Sequence, residues 1–457
     1  MNPKKNNFRL GIFILPLLIF VGAVGFFLFK RMEGAPPTVN LALASSSLGA
    51  SQNIPLTVAD PKSGIRSVWV ALLKDGKETV LLDKTFASAG LLTGGVTREE
   101  RLEIPFEPRS KGIGDGKGLL RLKVQDYSWR RWGKGNLTYQ EQEVMIDTRP
   151  PVIEVLSGPH YFAQGGAGVV IYKLSEICPK TGVQVGDQFY PAQSGYFKDP
   201  AIYMTMVAIG WQQGPGTPIH VVANDLAGNQ TRSGLSHLIN ARTFKRDEIE
   251  ISDSFLDWKM PEFVQQVAAP PGASNLDIFL KVNGELRRAN YEVLKKVTAK
   301  SDNQIYWQGE FLRLPNAAPR AGFADTRSYM YKGKKIDEQT HLGADLASLE
   351  QSPVPAGNGG KVVFAENLGI YGQSVILDHG MGLFSMYSHL SHIGVSVGQM
   401  VAKGDPLGKT GKTGLAGGDH LHFSILIYHT FVNPVEWWDA TWIKNNITAK
   451  IDAVKQP

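Results

Sequence analysis

Five side chains in one stretch of the chain have the types and spacing for metal-assisted chemistry. They fall in three local patterns: His341-Leu-Gly-Ala-Asp345, Tyr387-Ser-His389-Leu390 and His420-Leu-His422-Phe423. Residues two apart on a strand share a face, so His420 and His422 project together while Leu421 and Phe423 point the other way. Two imidazoles side by side can share a metal ion. His341 and Asp345 add an imidazole and a carboxylate, Gly343 between them permits a tight bend, and zinc accepts both donor types. His389 on its own would read as a core histidine. Each pattern is weak evidence alone. Together they are stronger, because seven of the ten histidines lie between His341 and His429. Of the others in that stretch, His379 reads as a turn or groove-rim residue, His392 as exposed and His429 as capping a strand end. His160, His220 and His237 stand singly and read as structural.

The elements that must position these groups are strands. Gly360 to Phe364, Ser374 to Asp378 and Leu383 to Tyr387 are apolar runs of strand length, as is the segment from His422 to Tyr428. Tight turns are expected at Val397-Gly398 and Val401 to Gly404. This defines a β domain over residues 305–445 with a tail over 446–457. Before it, residues 241–304 read as a helical connector. Asp253, Ser254 and Ser274 are candidate caps, and Leu286, Ala289, Val293, Leu294 and Val297 follow helical spacing within Gly284 to Lys300. Phe255, Leu256, Trp258 and Phe263 in the connector need burial. Residues 32–148 and 149–240 are expected to be two β-sandwich modules of related design. Pro36-Pro37 opens the first and Pro150-Pro151 the second, while Asp126 with Gly135-Asn136 closes one and Asp225 with Gly228-Asn229 the other. They resemble bacterial immunoglobulin-like modules. Asp225 reads as a turn cap rather than a calcium ligand. The fold class is therefore mainly β and multidomain.

Residues from Trp307 to Trp442 resemble the lysostaphin-like, LytM-type zinc endopeptidases. The likeness rests on His341-Leu-Gly-Ala-Asp345, on Asp378-His-Gly-Met-Gly-Leu-Phe-Ser-Met-Tyr-Ser-His389-Leu, on Gly398-Gln-Met-Val-Ala-Lys-Gly404 and on Gly417-Gly-Asp-His-Leu-His422-Phe423. The resemblance implies that His341, Asp345 and His422 bind Zn2+ and that His389 and His420 assist catalysis. It also implies a compact, mostly antiparallel β domain with a narrow groove, and the peptide cross-bridges of peptidoglycan as substrate. The chain departs from the pattern at Asp419, where many members have Pro, and at Ser424, where many have Glu. Neither change removes a ligand; both bear on substrate preference. Two neutral imidazoles and one carboxylate around Zn2+ leave one position open for water, whose pKa would fall toward neutrality, and such water would attack an amide carbonyl. The alternative is a catalytically silent relative that activates a cell-wall amidase. Such relatives typically lose zinc ligands, and all five site residues are present here.

The charge pattern speaks to location. Net charge is +6, but residues 1–31 alone hold Lys4, Lys5, Arg9, Lys30 and Arg31 and no acid. What remains is nearly neutral, so no nucleic-acid partner is expected. Leu10 to Phe29 is an apolar run long enough to span a bilayer, so residues 1–31 read as a cytoplasmic stub and an uncleaved transmembrane anchor, with a cleaved secretory signal as the alternative. Its flanking charges put the N-terminus in the cytoplasm and the bulk of the chain in the periplasm, tethered to the inner membrane. The expected partners are peptidoglycan stem peptides, the membrane, and an envelope protein for the β modules. Cys178 is the only cysteine, so no intrachain disulfide is available. It reads as a half-buried strand residue.

Overall fold

A computed structural model describes residues 7–90 and 93–455. It is mainly β and divides into two compact units: Met1–Pro150 with Asn224–Gln230, and Pro151–Ala223 with Thr231–Pro457. Lys4 and Lys5, and the side chain of Arg9, on which the expected membrane orientation rests, lie outside the described residues.

The first unit starts with the helix Asn7–Arg31, whose segment Ile14–Arg31 is long and apolar enough to cross a membrane and has almost no buried side chains. Two sheets follow. One has three strands in the order Thr38–Leu41, Gln52–Ala59, Glu99–Phe106. The other has five and is built around Gly116–Asp126 and Ile65–Lys74. Strand alternation sends Ile54, Leu56 and Val58 from one sheet and Val68, Val70, Leu120 and Leu122 from the other into a shared core. The matching ends noted in the sequence prove to be one hydrogen-bond device used twice. Asp126 accepts the backbone N–H of Asn136 at 2.7 Å and its side-chain amide at 2.7 Å, and that amide also reaches the carbonyls of Glu33 and Ala35, just before Pro36-Pro37. Asp225 grips Asn229 in the same way at 2.8 Å, and the Asn229 amide reaches the carbonyls of Asp147 and Arg149, just before Pro150-Pro151. Asp225 is thus a turn cap.

In the second unit, two four-stranded sheets between Ile153 and Gly234 precede the helical segments and the C-terminal strands. Their core is continuous with that of the C-terminal strands. Val169, Ile171 and Met206 belong to the same buried cluster as Leu383, Ile425 and Trp437. Polar contacts run along this join: Tyr190 donates to Thr430 Oγ1 at 2.9 Å, Asn433 N–H to the Gly165 carbonyl at 2.7 Å, and Ala167 N–H to the buried Glu436 carboxylate at 3.1 Å. The described part of the expected tail is helical, and Ile447 and Ile451, with Ile443 just before it, bury one face in that core. Cys178 is buried between two strands rather than on one.

The connector opens with a strand, Arg246–Glu250, that pairs in parallel with Asp325–Tyr331, and is helical beyond it, with two further differences from the sequence reading. Ser274 caps its helix, paired with Asp277 in a capping box, but the first cap is Ser252, which accepts the Phe255 N–H. Asp253 is already helical there, and its carboxylate is held by Tyr331 and Lys332 instead. The second helix also starts well before Gly284, at Asn275, and runs through a π-turn at Val282–Leu286 into Arg287–Val297. Leu256 and Phe263 are buried as expected, while Trp258 lies 44% exposed under the ammonium groups of Lys259 and Lys412.

The C-terminal strands form one large antiparallel sheet, with Leu421–Ile427 between Ala344–Ala347 and Leu383–Leu390, followed outward by Gln373–Gly380 and Gly360–Asn367. A separate sheet pairs Asp325–Tyr331 with Lys334–His341. The registers that matter set Asp345 opposite His422, Ser388 opposite His422, and Asp325 opposite His341.

Candidate metal centre

The residues singled out by spacing meet at one point. His341 ends its strand, Asp345 lies on the next, and His422 is cross-strand partner to Asp345. Their atoms form a near-equilateral triangle: His341 Nε2 to Asp345 Oδ1, His341 Nε2 to His422 Nδ1, and His422 Nδ1 to Asp345 Oδ1 are each 2.9 Å. All three residues are buried, at 4–8% exposure.

Hydrogen bonds on the far side of each ring fix what points inward. His341 Nδ1 donates to the Gly322 carbonyl at 2.8 Å, which leaves Nε2 as a lone pair. The Ser424 hydroxyl donates to the Leu342 carbonyl at 2.8 Å, so at 3.0 Å it accepts from His422 Nε2, which leaves Nδ1 as a lone pair. Asp345 Oδ1 is a third electron donor at the same spot. Three acceptors at this separation repel one another unless a cation lies among them. The donor set, two imidazole nitrogens and one carboxylate oxygen, suits a divalent transition metal, so these residues fit a resident metal ion.

Backbone close to the site is shaped to allow this. A Cβ at Gly343 would lie 2.6 Å from the His422 ring and from Ser424 Oγ, so only glycine lets this turn pack against the histidine. Tyr371 packs its ring 5.7 Å from that of His422.

His389 and His420 stand beside the triangle, their ring centroids 4.8 Å apart. His389 Nδ1 donates to the Thr413 carbonyl at 2.8 Å and His420 Nδ1 to the Gly418 carbonyl at 2.9 Å, so both present Nε2 inward. His420 lies just before its strand, held by a bridge to Gly411, and its Nε2 is 3.6 Å from Asp345 Oδ1. His389 has φ of +62°, a left-handed conformation that costs about 1–3 kcal/mol for a residue with a side chain and concentrates at functional sites.

Electrostatics separate the two. Burial, reinforced by His420 and His422 nearby, holds His389 neutral, well below the ordinary histidine pKa. Burial also works against charge on His420, but the hydrogen bond and negative charge of Asp345 outweigh it and raise its pKa. Asp345 is ionised well below the usual carboxylate range, because the three histidines around it outweigh its burial. His422 is pushed down to about 4 by burial and by the neighbouring histidines.

The remaining histidines of the stretch lie elsewhere. His379 is not at a rim but fully buried, donating to Gly359 and paired with Ser385 Oγ at 2.7 Å, because its strand is covered on both faces. His392 is exposed, and His429 bonds Gln188 at 2.9 Å. Arg327 was not anticipated, and its Nη2 bonds Asp345 Oδ2 at 2.8 Å. Nothing local in the sequence marks it, since it is one of several charged residues in a hairpin that also holds Lys332, Lys334, Lys335, Asp337 and Glu338.

Residues 339–434 match Peptidase family M23. The peptidoglycan DD-endopeptidase ShyA of Vibrio cholerae is 35% identical over 96 residues, which is 21% of this chain and 22% of that protein. The murein hydrolase activator EnvC of Escherichia coli is 35% identical over 95 residues, which is 21% of this chain and 23% of that protein. The chain thus spans about a fifth of the length of these curated relatives. Among solved structures, the catalytic domain of lysostaphin from Staphylococcus simulans is 28% identical, covers 29% of this chain and 98% of its own, and gives a TM-score of 0.25. The matched segment holds His341, Asp345, His389, His420 and His422, and the chain carries at its C-terminus a Peptidase M23 domain of the LytM type.

Proposed function

We propose that this protein is a membrane-anchored zinc metalloendopeptidase that hydrolyses peptide cross-bridges of peptidoglycan. The observation that carries the reading is the convergence of three lone-pair donors, each oriented by a second hydrogen bond, with two further imidazoles facing the same point. His341, Asp345 and His422 would hold the zinc ion. Bound there, zinc supplies Lewis acidity, polarising an amide carbonyl and lowering the pKa of water. The chain's own residues do the rest. His389, neutral through burial, takes the proton of the attacking water at Nε2. His420, whose pKa is raised by Asp345, donates from Nε2 to the oxygen that becomes negative as the carbonyl is attacked. Two like groups driven apart in pKa by their surroundings are the mark of an acid–base pair. The buried ring of His422, with the partly buried ring of Tyr371 packed on it, shields one side from bulk water. The helix Asn7–Arg31 would hold the enzyme at the inner membrane, with the wall within reach.

Likeness to EnvC keeps one other reading in view, an activator of a separate amidase. The full donor set favours hydrolysis. Purified full-length protein should release peptides from cross-linked muropeptides, stop when a chelator removes the metal, and resume with zinc. His341→Ala should abolish release. A chain that binds no zinc and cuts nothing, yet stimulates an amidase, would overturn the hydrolase reading.

A further inference from the structure

We propose that Arg327 is a positioning residue that sets Asp345 as a single-oxygen ligand; this rests on the zinc peptidase reading above. The Asp345 carboxylate is divided between two tasks. Oδ1 faces His341 Nε2 and His422 Nδ1, each at 2.9 Å, while Oδ2 accepts from Arg327 Nη2 at 2.8 Å. A carboxylate free to turn about its last torsion would present either oxygen or both. With Oδ2 held by a guanidinium it presents one, and the plane of the group is fixed.

The strand that carries Arg327 makes the same kind of contact twice. Asp325 and Arg327 are two apart on Asp325–Tyr331 and share a face. Asp325 Oδ2 accepts the Gly322 N–H at 2.7 Å, and the Gly322 carbonyl in turn accepts from His341 Nδ1 at 2.8 Å. One face of one strand therefore orients two of the three donors, His341 through Gly322 and Asp345 directly. Arg327 is 21% exposed at its side chain and Asp345 11%, so the pair is partly shielded from water and its charge-assisted bond outweighs that of a surface ion pair. Arg327 also cancels the carboxylate's charge. That tends to weaken attraction for a cation, whereas orientation strengthens it. Orientation dominates here, because a charge that can rotate out of the triangle attracts little.

The test uses the full-length protein with Arg327→Ala, Arg327→Gln and Arg327→Lys, and reads zinc affinity by competition with a chromogenic chelator alongside kcat and KM on cross-linked muropeptides. Loss of an outer contact to a ligand typically weakens metal affinity or activity about 10- to 100-fold. Arg327→Ala should weaken zinc binding by that range and, at saturating zinc, lower kcat with KM unchanged. Arg327→Lys should restore part of the affinity and Arg327→Gln less, since Gln keeps a donor but no charge. If the Ala variant fails to fold, the Gln and Lys variants decide. Unchanged zinc affinity in all folded variants overturns the proposal, and a raised KM with unchanged zinc affinity would instead make Arg327 a substrate contact. Failure of the parent reading is separate, since the unaltered chain would then bind no zinc.

Discussion

At the scale of single residues, the site is a set of imidazoles each tied down by one nitrogen so that the other is free to work. Ser424 ties His422, where the sequence pattern of similar enzymes more often has Glu. A hydroxyl is a weaker acceptor than a carboxylate, and Ser424→Ala removes it altogether. Zinc affinity should fall about tenfold, checked by chelator competition. The pair His389 and His420 sets the pH response. On the proposed roles, with His389 the base and His420 the acid, kcat should rise with pH through the lowered pKa of His389 and fall through the raised pKa of His420. His420→Ala should lower kcat about 10²- to 10⁴-fold and erase the alkaline limb. A falling limb that survives in this variant would assign it to another group. These five residues were legible in the sequence because each ligand motif is short and local. Arg327 was not, because it reaches Asp345 only through a hairpin register that no local spacing encodes.

At the scale of elements, the connector buttresses the loops that orient the histidines. Lys259 is 1% exposed, and its ammonium donates to the Lys412 carbonyl at 2.7 Å and to Glu262 at 3.0 Å. The next residue, Thr413, supplies the carbonyl that holds His389. Asn290, on the last connector helix, accepts the Ile370 N–H at 2.9 Å beside Tyr371. Lys259→Met would leave the Lys412 carbonyl without its protein partner, a loss of about 1 kcal/mol for a hydrogen bond only partly shielded from water. Urea unfolding should register that loss, and an unchanged midpoint would mean that water replaces the ammonium. The connector's helical nature was readable from its spacing. Its start was not, because Asn275–Lys281 is short and joins the next helix through a π-turn that breaks the 3.6-residue pattern.

At the scale of the molecule, apolar alternation told which residues face inward but not what they meet there. The two sheets after Pro151 share a core that also extends into that of the C-terminal strands. Glu436 sits in that join. Burial raises its pKa to about 7 against the opposing Ala167 N–H and Arg242. Its folded value is thus above the unfolded one, so its contribution to stability is full below about 4.5 and is lost as pH rises through 7. Glu436→Gln keeps an acceptor for Ala167 and cannot ionise. Its stability relative to the parent should therefore improve as pH climbs from 4.5 to 7, by about 1.4 kcal/mol per unit at most, read from unfolding midpoints across that range. His379 slopes the other way. Burial lowers its pKa to about 4, so stability is lost as pH falls from the unfolded value through 4.

The single hydrophobic interior that joins Val169 and Met206 to Leu383 and Ile425 changes how genetic data on this protein should be interpreted. On the proposed hydrolase reading, random mutagenesis scored by wall turnover would return hits more than a hundred positions upstream of the site histidines, at side chains outside the site. Mapping them as a recognition surface would be an error, for they would report only that the scaffold beneath the His341, Asp345 and His422 triangle had softened.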